Sequence, residues 1–238
     1  MRYLTIDTTT KATALALAEN GKLIAEGFLN TGKNHSERLV PMIDQLLKTA
    51  AWSMGELDFL GVVRGPGSFT GIRIGIATAQ GLAQVLRLPV CGVLSLDALA
   101  WAGYGRSEEI VPILDARKNE WYTARYRWSA AEKKPLQVRE PLAVEPKVWL
   151  KELADLDHGV LFVGDAVDRY EELIREHIGE RAILLPDYLA LPRGAYTAQC
   201  VWGEWETNQE GSSVEPYYIR ASEAEVNLAK KEEALKGK

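Results

Sequence analysis

The sequence predicts an α/β protein in which the order β-β-β-α-β-α-β-α occurs twice. Two observations carry this prediction. Short β-rich runs alternate with segments of helical hydrophobic spacing, and in each half the first strand ends in an aspartate before a turn, at Asp7 and Asp115. The two halves show no strong similarity residue by residue, so the duplication is one of pattern only. Such an order builds two mixed sheets with helices packed on them, and a cleft between two such lobes is a natural ligand site.

The first half begins with a three-stranded meander, because short turns such as the one at residues 19–21 favour antiparallel neighbours. An amphipathic helix follows, with Ser36 as its predicted N-cap and apolar residues at helical spacing from Leu39 to Leu47. The predicted elements are strands over residues 2–7, 12–18 and 21–29, a helix over 36–48, a strand over 57–63, a helix over 72–87, a strand over 89–94 and a helix over 95–101.

The second half repeats this order, with a hairpin turn at residues 117–120 and Pro146 at the first turn of a helix, where proline is tolerated. The predicted elements are strands over residues 110–115, 121–128 and 141–144, a helix over 146–153, a strand over 160–163, a helix over 165–177, a strand over 182–185 and a helix over 196–206. We expect one lobe over residues 1–104 and a second over 105–221, whose last helix is able to pack back on the first. Residues 222–238 read as a charged, flexible tail or a solvated helix.

Composition excludes several classes of protein. The chain has 238 residues and a formal charge of -5, so it lacks the basic surplus needed to grip nucleic acid by itself. Two cysteines, Cys91 and Cys200, are too few for a disulfide framework and do not form a zinc motif. No long apolar run and no signal-peptide pattern occur, so we expect a cytoplasmic protein without a membrane segment.

A carboxylate, three hydroxyls and an ammonium group lie on the turn over residues 7–11. An aspartate at a strand end can hold a metal-bound water, and hydroxyls with backbone N–H groups can hold phosphate oxygens. A plain β-turn explains the same residues, because Asp and Thr are common in turns. The residues by themselves favour the plain turn slightly.

The loop over residues 65–71 is rich in glycine and lies between a buried strand and a helix, where amides and the helix dipole attract anions. It is not a Walker loop, because no Gly-Lys-Ser/Thr follows, and its glycines are spaced one residue too long for the dinucleotide fingerprint. Anion binding and a purely structural turn explain it equally well.

Three glycines in the helix that follows, Gly71, Gly75 and Gly81, indicate close approach by another backbone, because glycine weakens a helix interior. That neighbour lies either inside the fold or across a subunit contact. The apolar stripe of the first helix is a second candidate contact surface.

No catalytic constellation is visible in the sequence. The three histidines, His35, His158 and His177, have no metal-ligand spacing, and His35 is expected at the surface. Neither a Gly-x-Ser-x-Gly elbow nor a cysteine–histidine signature occurs.

Five segments resemble the bacterial TsaB (YeaZ) family. They are LTIDTTT at residues 4–10, GKNHSERLVPMI at 32–43, GPGSFTGIRIG at 65–75, ILDAR at 113–117 and PYYIR at 216–220. The resemblance covers about residues 1–220, and the glycine-rich block is its most specific part.

The resemblance implies a duplicated actin-like fold of the ASKHA, ribonuclease H-like type. It also implies an accessory subunit for making N6-threonylcarbamoyladenosine beside the anticodon of tRNAs that read ANN codons. In that family the catalytic paralogue TsaD transfers the threonylcarbamoyl group, the ATPase TsaE joins the assembly, and TsaB-like proteins form homodimers. Catalytic relatives carry an HxxxH metal pair, which aligns here with Ser95 and Leu99. We therefore expect no catalytic residue, no metal and no cofactor of the chain's own, with ATP or ADP bound only within the complex and tRNA reached only through it.

Two sets of candidate site residues follow. The weak nucleotide site comprises Asp7, Thr8, Thr9, Thr10 and Asp115. The partner interface comprises Ser36, Leu39, Val40, Ile43, Leu47, Gly67, Phe69, Thr70, Gly71, Ile74, Gly75 and Thr78. The alternative function is a stand-alone actin-like ATPase or small-molecule kinase, in which Asp7 positions a magnesium-bound phosphate and Asp115 activates a water or hydroxyl. Direct binding of tRNA is disfavoured by the acidic charge.

Overall fold

A computed structural model describes residues 1–32 and 34–220 and contains two five-stranded mixed sheets. The expected tail at residues 222–238 lies outside the described residues. The strands of the first sheet are β1 Arg2–Asp7, β2 Thr13–Glu19, β3 Lys22–Leu29, β4 Phe59–Val63 and β5 Val90–Val93. Their order is β3-β2-β1-β4-β5, with β1 antiparallel to β2 and parallel to β4.

The second sheet has the same topology as the first. Its strands are β6 Glu109–Asp115, β7 Trp121–Ser129, β8 Lys134–Val144, β9 Val160–Val163 and β10 Ala182–Leu184. Their order is β10-β9-β6-β7-β8, which from the opposite edge is again third, second, first, fourth and fifth. The predicted duplicated α/β architecture is therefore confirmed.

The helices follow the strands in the predicted order, except for a short sixth helix that the sequence did not predict. They are α1 His35–Thr49, α2 Phe69–Leu86, α3 Ser95–Ala100, α4 Pro146–Ala154, α5 Val167–Ile178, α6 Asp187–Ala190 and α7 Gly194–Thr207. None of them, within the described ranges, combines the length and apolar character needed to cross a membrane.

Helices α1, α2, α5 and α7 begin one to three residues away from the expected starts, and the first two show the reason at their N-caps. The structure places Asn34, without a side-chain capping bond, at the N-cap of α1, so the prediction of Ser36 as N-cap is wrong. Helix α2 begins three residues earlier than expected because Ser68 caps it, its hydroxyl oxygen accepting the Gly71 N–H at 3.3 Å. The glycine-rich loop is correspondingly shorter.

The first sheet is covered on both faces. One face packs against α1 and α2, where Leu15 and Leu60 share a buried cluster with Leu39. The other face packs against α7, whose Trp205 stacks on Phe59 with ring centroids 4.0 Å apart. Helix α7 thus comes from the second half of the chain but covers the sheet of the first. The second sheet shares one buried cluster with residues of α3, α4 and α5.

The glycines of the loop and of α2 make room for the turn after β1. A Cβ on Gly71 would lie 1.9 Å from the Thr8 carbonyl oxygen, and one on Gly67 would lie 2.3 Å from that of Thr9. A Cβ on Gly75 would lie 2.6 Å from the Thr8 Oγ1 atom. The close backbone approach predicted for the helix glycines is therefore found at Gly71, inside the fold. Gly75 meets a side chain, and the prediction is wrong for Gly81, where a Cβ would meet nothing within 4 Å.

Replacing Gly71 with alanine is expected to destabilise the chain by roughly 1–3 kcal/mol or more, because the clash is with backbone and the turn has to move. Gly81→Ala on the same helix is the matched control. A Cβ there meets nothing within 4 Å, so the change should stabilise by about 0.5–1 kcal/mol. Urea unfolding of both variants measures the difference, and equal stability of Gly71→Ala and the parent chain would contradict this packing.

Candidate functional site

The hydroxyls of the turn after β1 are already used inside the fold. Asp7 Oδ1 accepts hydrogen bonds from the Thr9 N–H at 2.9 Å and the Thr9 hydroxyl at 2.7 Å. The Thr8 hydroxyl donates to the Gly71 carbonyl at 2.7 Å, and the Thr10 hydroxyl oxygen accepts the Ala12 N–H. All four side chains from residue 7 to residue 10 are buried. A phosphate group would have to displace these bonds.

The buried Asp7 carboxyl is also electrostatically unlike a metal ligand exposed to solvent. Burial raises its pKa, and the two hydrogen bonds from Thr9 oppose that rise only in part. No hydrogen bond or ion pair joins Asp7 to Asp115 within the described ranges. The structure therefore pairs Asp7 with Thr9 and Thr8 with the glycine loop. It does not bond Asp7 to Asp115, the other aspartate of the predicted nucleotide site.

His35 is part of this packing and is not the surface residue expected from the sequence. Its Nε2 lies 2.9 Å from the Thr10 carbonyl oxygen, and its Nδ1 lies 2.7 Å from the Thr13 hydroxyl oxygen. The tautomer with its proton on Nε2 satisfies both contacts. The imidazole thereby ties the start of α1 to the β1–β2 turn.

Asp115 lies in a second cluster of charges, at the end of β6. One carboxylate oxygen accepts the Arg117 N–H at 2.8 Å and the other accepts from the Arg169 guanidinium at 2.9 Å. A second carboxylate, that of Asp165, accepts the Asp115 N–H at 3.1 Å. Burial raises the pKa of Asp165 to about 6; the charge of Asp115 adds to the rise and that of Lys11 opposes it.

Asp165 is the residue of this cluster that sequence analysis missed. Asp165 follows Gly164 directly after β9, and the glycine loop follows β4, the matching strand of the first sheet. This matching position in the two halves is the sequence signal that could have identified Asp165. Within residues 1–32 and 34–220, no three His, Cys, Asp or Glu side chains are grouped closely enough to hold a metal ion.

The predicted interface residues divide into buried and exposed sets. Leu39, Ile43, Leu47, Gly71 and Gly75 are buried in the first lobe, so as surface residues these predictions are wrong. The physical reason is that the helical stripe and the small residues face the sheet and the β1–β2 turn. Ser36, Val40 and Thr70 are exposed, and Gly67, Phe69, Ile74 and Thr78 are partly exposed.

A C-terminal strap, residues 208–220, covers part of the glycine loop. The Ser212 N–H donates to the Val90 carbonyl and the Tyr217 N–H to the Arg64 carbonyl, at 3.0 and 2.7 Å. The Tyr218 ring lies 4.6 Å from that of Phe69, which explains why Phe69 is only partly exposed. This gives the PYYIR segment a structural role.

The two positions aligned with the catalytic HxxxH pair serve packing. The buried Ser95 hydroxyl donates to the Pro66 carbonyl at 2.5 Å, and Leu99 is buried in the core of the second lobe. A serine bound to the glycine loop and a core leucine do not offer the imidazole nitrogens that such a metal site uses.

Two sheets of equal topology, with helices between their strands and an aspartate ending the first strand of each, define a duplicated actin-like α/β protein. The solved structure of component A of (R)-2-hydroxyglutaryl-CoA dehydratase from Acidaminococcus fermentans has this fold in common. It aligns with a TM-score of 0.52 over 87% of this chain and 98% of its own, at 10% identity, so the likeness concerns the fold alone.

Closer similarities define the family. A family model described as TsaD, tRNA N6-adenosine threonylcarbamoyltransferase, matches residues 29–228. The tRNA threonylcarbamoyladenosine biosynthesis protein TsaB of Bacillus subtilis (strain 168) is 32% identical over 94% of this chain and 96% of its own length. The solved structure of YeaZ from Pseudomonas aeruginosa aligns with a TM-score of 0.73 and 27% identity, covering 91% of this chain and 99% of its own. The chain belongs to the TsaB (YeaZ) family.

We expect the free energy of unfolding to depend on pH through Asp165. Because its raised pKa means tighter proton binding in the folded chain, Asp165 contributes stability that is full below about pH 4 and is lost as the pH rises through about 6. The loss is at most about 3 kcal/mol. Urea unfolding between pH 4 and pH 7.5 should show this decline in the parent chain and a flatter profile in Asp165→Asn. The exposed Asp168→Asn is the control that should keep the decline, and identical profiles for the two variants would contradict the assignment.

Proposed function

We propose that this chain is a non-catalytic accessory subunit in tRNA threonylcarbamoyladenosine synthesis, which binds and stabilises the catalytic paralogue TsaD. Similarity to TsaB over nearly the whole chain supports the process. The observation that carries the accessory role is the identity and burial of Ser95 and Leu99. They occupy the positions that align with the metal-binding histidines of catalytic relatives, and both are used in internal packing. The transfer of threonylcarbamoyl to the adenosine beside the anticodon, on tRNAs reading ANN codons, then belongs to TsaD.

The hydrogen bonding within the β1–β2 turn supports the same role. Hydroxyls that could cradle a phosphate are buried and bonded to Asp7, to Gly71 and to the backbone. We infer that the chain has no cofactor of its own, that ATP or ADP is bound only within the complex, and that TsaE and tRNA are met only there. A cytoplasmic location is consistent with a role in tRNA modification.

We place the partner surface on the outer side of α1 and the start of α2. Val40, 56% exposed, is a large apolar side chain on α1, one helical turn from the exposed Ser36. On α2 the exposed Thr70 lies one turn from the partly exposed Ile74. An exposed apolar side chain on a helix is suited to a contact with a partner. The same surface would serve a homodimer when TsaD is absent.

Val40→Glu is expected to weaken binding of TsaD, and homodimerisation, by about tenfold or more, because an unpaired carboxylate would be buried in the contact. Val148→Glu is the matched control, since Val148 is 57% exposed on α4 of the other lobe. Binding is measured by calorimetry and the dimer by sedimentation. If the Val40→Glu variant folds and binds TsaD with the same affinity as the Val148→Glu variant, the contact lies elsewhere.

The proposed function itself is tested by incorporation of labelled threonine into unmodified tRNA. The reaction contains TsaD, TsaE and the threonylcarbamoyl-adenylate synthase, with and without this chain. We expect incorporation to require the chain, and the isolated chain with Mg²⁺ and ATP to show no turnover. Incorporation indifferent to the chain, together with ATP turnover abolished by Asp7→Ala, would instead support the actin-like ATPase or kinase.

A further inference from the structure

A cavity of about 320 Å³ lies beside the glycine loop, away from the turn after β1. Its walls come from the ends of β4 and β5, from α3 and α7, and from the C-terminal strap, through Ser212 and Ser213. Its volume is at the lower end of the range for small-molecule sites, which suits a metabolite smaller than a nucleotide. Three of its lining side chains, Arg64, Asp97 and Glu204, carry charge.

Arg64 supplies the positive charge without an ion pair. Within the described part of the chain its guanidinium donates no hydrogen bond, and its buried Nε has no partner. The guanidinium carbon lies 5.5 Å from the centre of the Tyr217 ring, so the strap supports it through a cation–π contact. A guanidinium held in this way is suited to bind a carboxylate with two parallel hydrogen bonds.

Two carboxylates line the same cavity. Asp97 Oδ1 accepts the Tyr126 hydroxyl at 2.6 Å, and no donor among the described residues contacts its other oxygen. The Glu204 side chain on α7 makes no hydrogen bond to any of the described residues. Burial raises the pKa of Asp97 and the charge of Glu204 adds to the rise, while the Tyr126 hydrogen bond and the charge of Arg64 oppose it. A cation between the carboxylates would relieve their repulsion.

The remaining wall is uncharged. Burial raises the pKa of the Cys200 thiol well above its ordinary value, so the thiol is neutral and faces the cavity as a small apolar group. A ligand that is only an anion would be repelled by two carboxylates, and one that is only a cation would be repelled by Arg64. A small zwitterion satisfies both charges.

We propose that this cavity binds a free α-amino acid, with the ligand carboxylate on Arg64 and its ammonium group between Asp97 and Glu204. Because Ser212 and Ser213 of the strap form one wall, bound ligand also fastens the strap to the first lobe. Binding should therefore raise the melting temperature, and above the dissociation constant the rise should grow with the logarithm of ligand concentration.

The test uses the full chain and isothermal titration calorimetry with glycine, L-alanine, L-serine and L-threonine. N-acetyl-L-threonine lacks the ammonium group, and L-threonine methyl ester lacks the carboxylate. We expect saturable binding of at least one amino acid below about 10 mM, and loss of about tenfold or more in affinity with either blocked form.

Variants assign the binding to this cavity. Glu204→Gln and Arg64→Gln should each weaken it by about tenfold or more. Glu206→Gln, an exposed carboxylate on the same helix and outside the cavity, should leave it unchanged. Circular dichroism and melting without ligand check folding; if Arg64→Gln does not fold, Glu204→Gln decides. Absence of saturable binding by the whole panel, equal binding of the blocked forms, or equal affinity of Glu204→Gln and Glu206→Gln would overturn the proposal.

Discussion

The contact on which most of this structure depends is the packing of the Thr8 and Thr9 carbonyls against Gly71 and Gly67. No side chain larger than hydrogen fits at either glycine without moving a backbone, because a Cβ would lie 1.9 or 2.3 Å from a carbonyl oxygen. The contact holds the β1–β2 turn against the start of α2, and it brings the Thr8 hydroxyl onto the Gly71 carbonyl. A loop of the kind that elsewhere attracts phosphate here receives another part of the same chain.

The second constraint is the path of the chain after β10. Helix α7 crosses to the first sheet, where Val201 lies against Gly61, and the strap then runs along β5 and returns toward the second lobe. There Arg220 pairs with Glu120 beside the β6–β7 turn. The two lobes are thus tied by a segment that belongs to both, and the charged cavity around Arg64 exists because this segment forms one side of it.

These two constraints are the structural basis of the accessory role that we propose for this actin-like chain. The groups that could serve chemistry at the end of β1 are used to hold the turn. In the second lobe the Asp165 carboxylate accepts the Asp115 N–H, and the Asp115 carboxylate accepts from Arg169. What the fold still presents outward is a surface on α1 and α2 and a small charged cavity. Both are suited to binding rather than to a covalent step.

The sequence by itself determined the strand and helix order, the duplication and the family, because hydrophobic periodicity and the glycine-rich block are local signals. It also indicated that Gly71 and Gly75 meet a close neighbour, but not which one. Only the tertiary structure decided that this neighbour is the Thr8 turn, that Leu39 and Ile43 face the core while Val40 faces solvent, and that Asp165 joins Asp115. The Thr8 and Asp165 contacts join residues 50 or more positions apart, and Leu39 and Ile43 are buried by residues of other elements. Such pairing is set by packing of the whole fold and not by a local pattern.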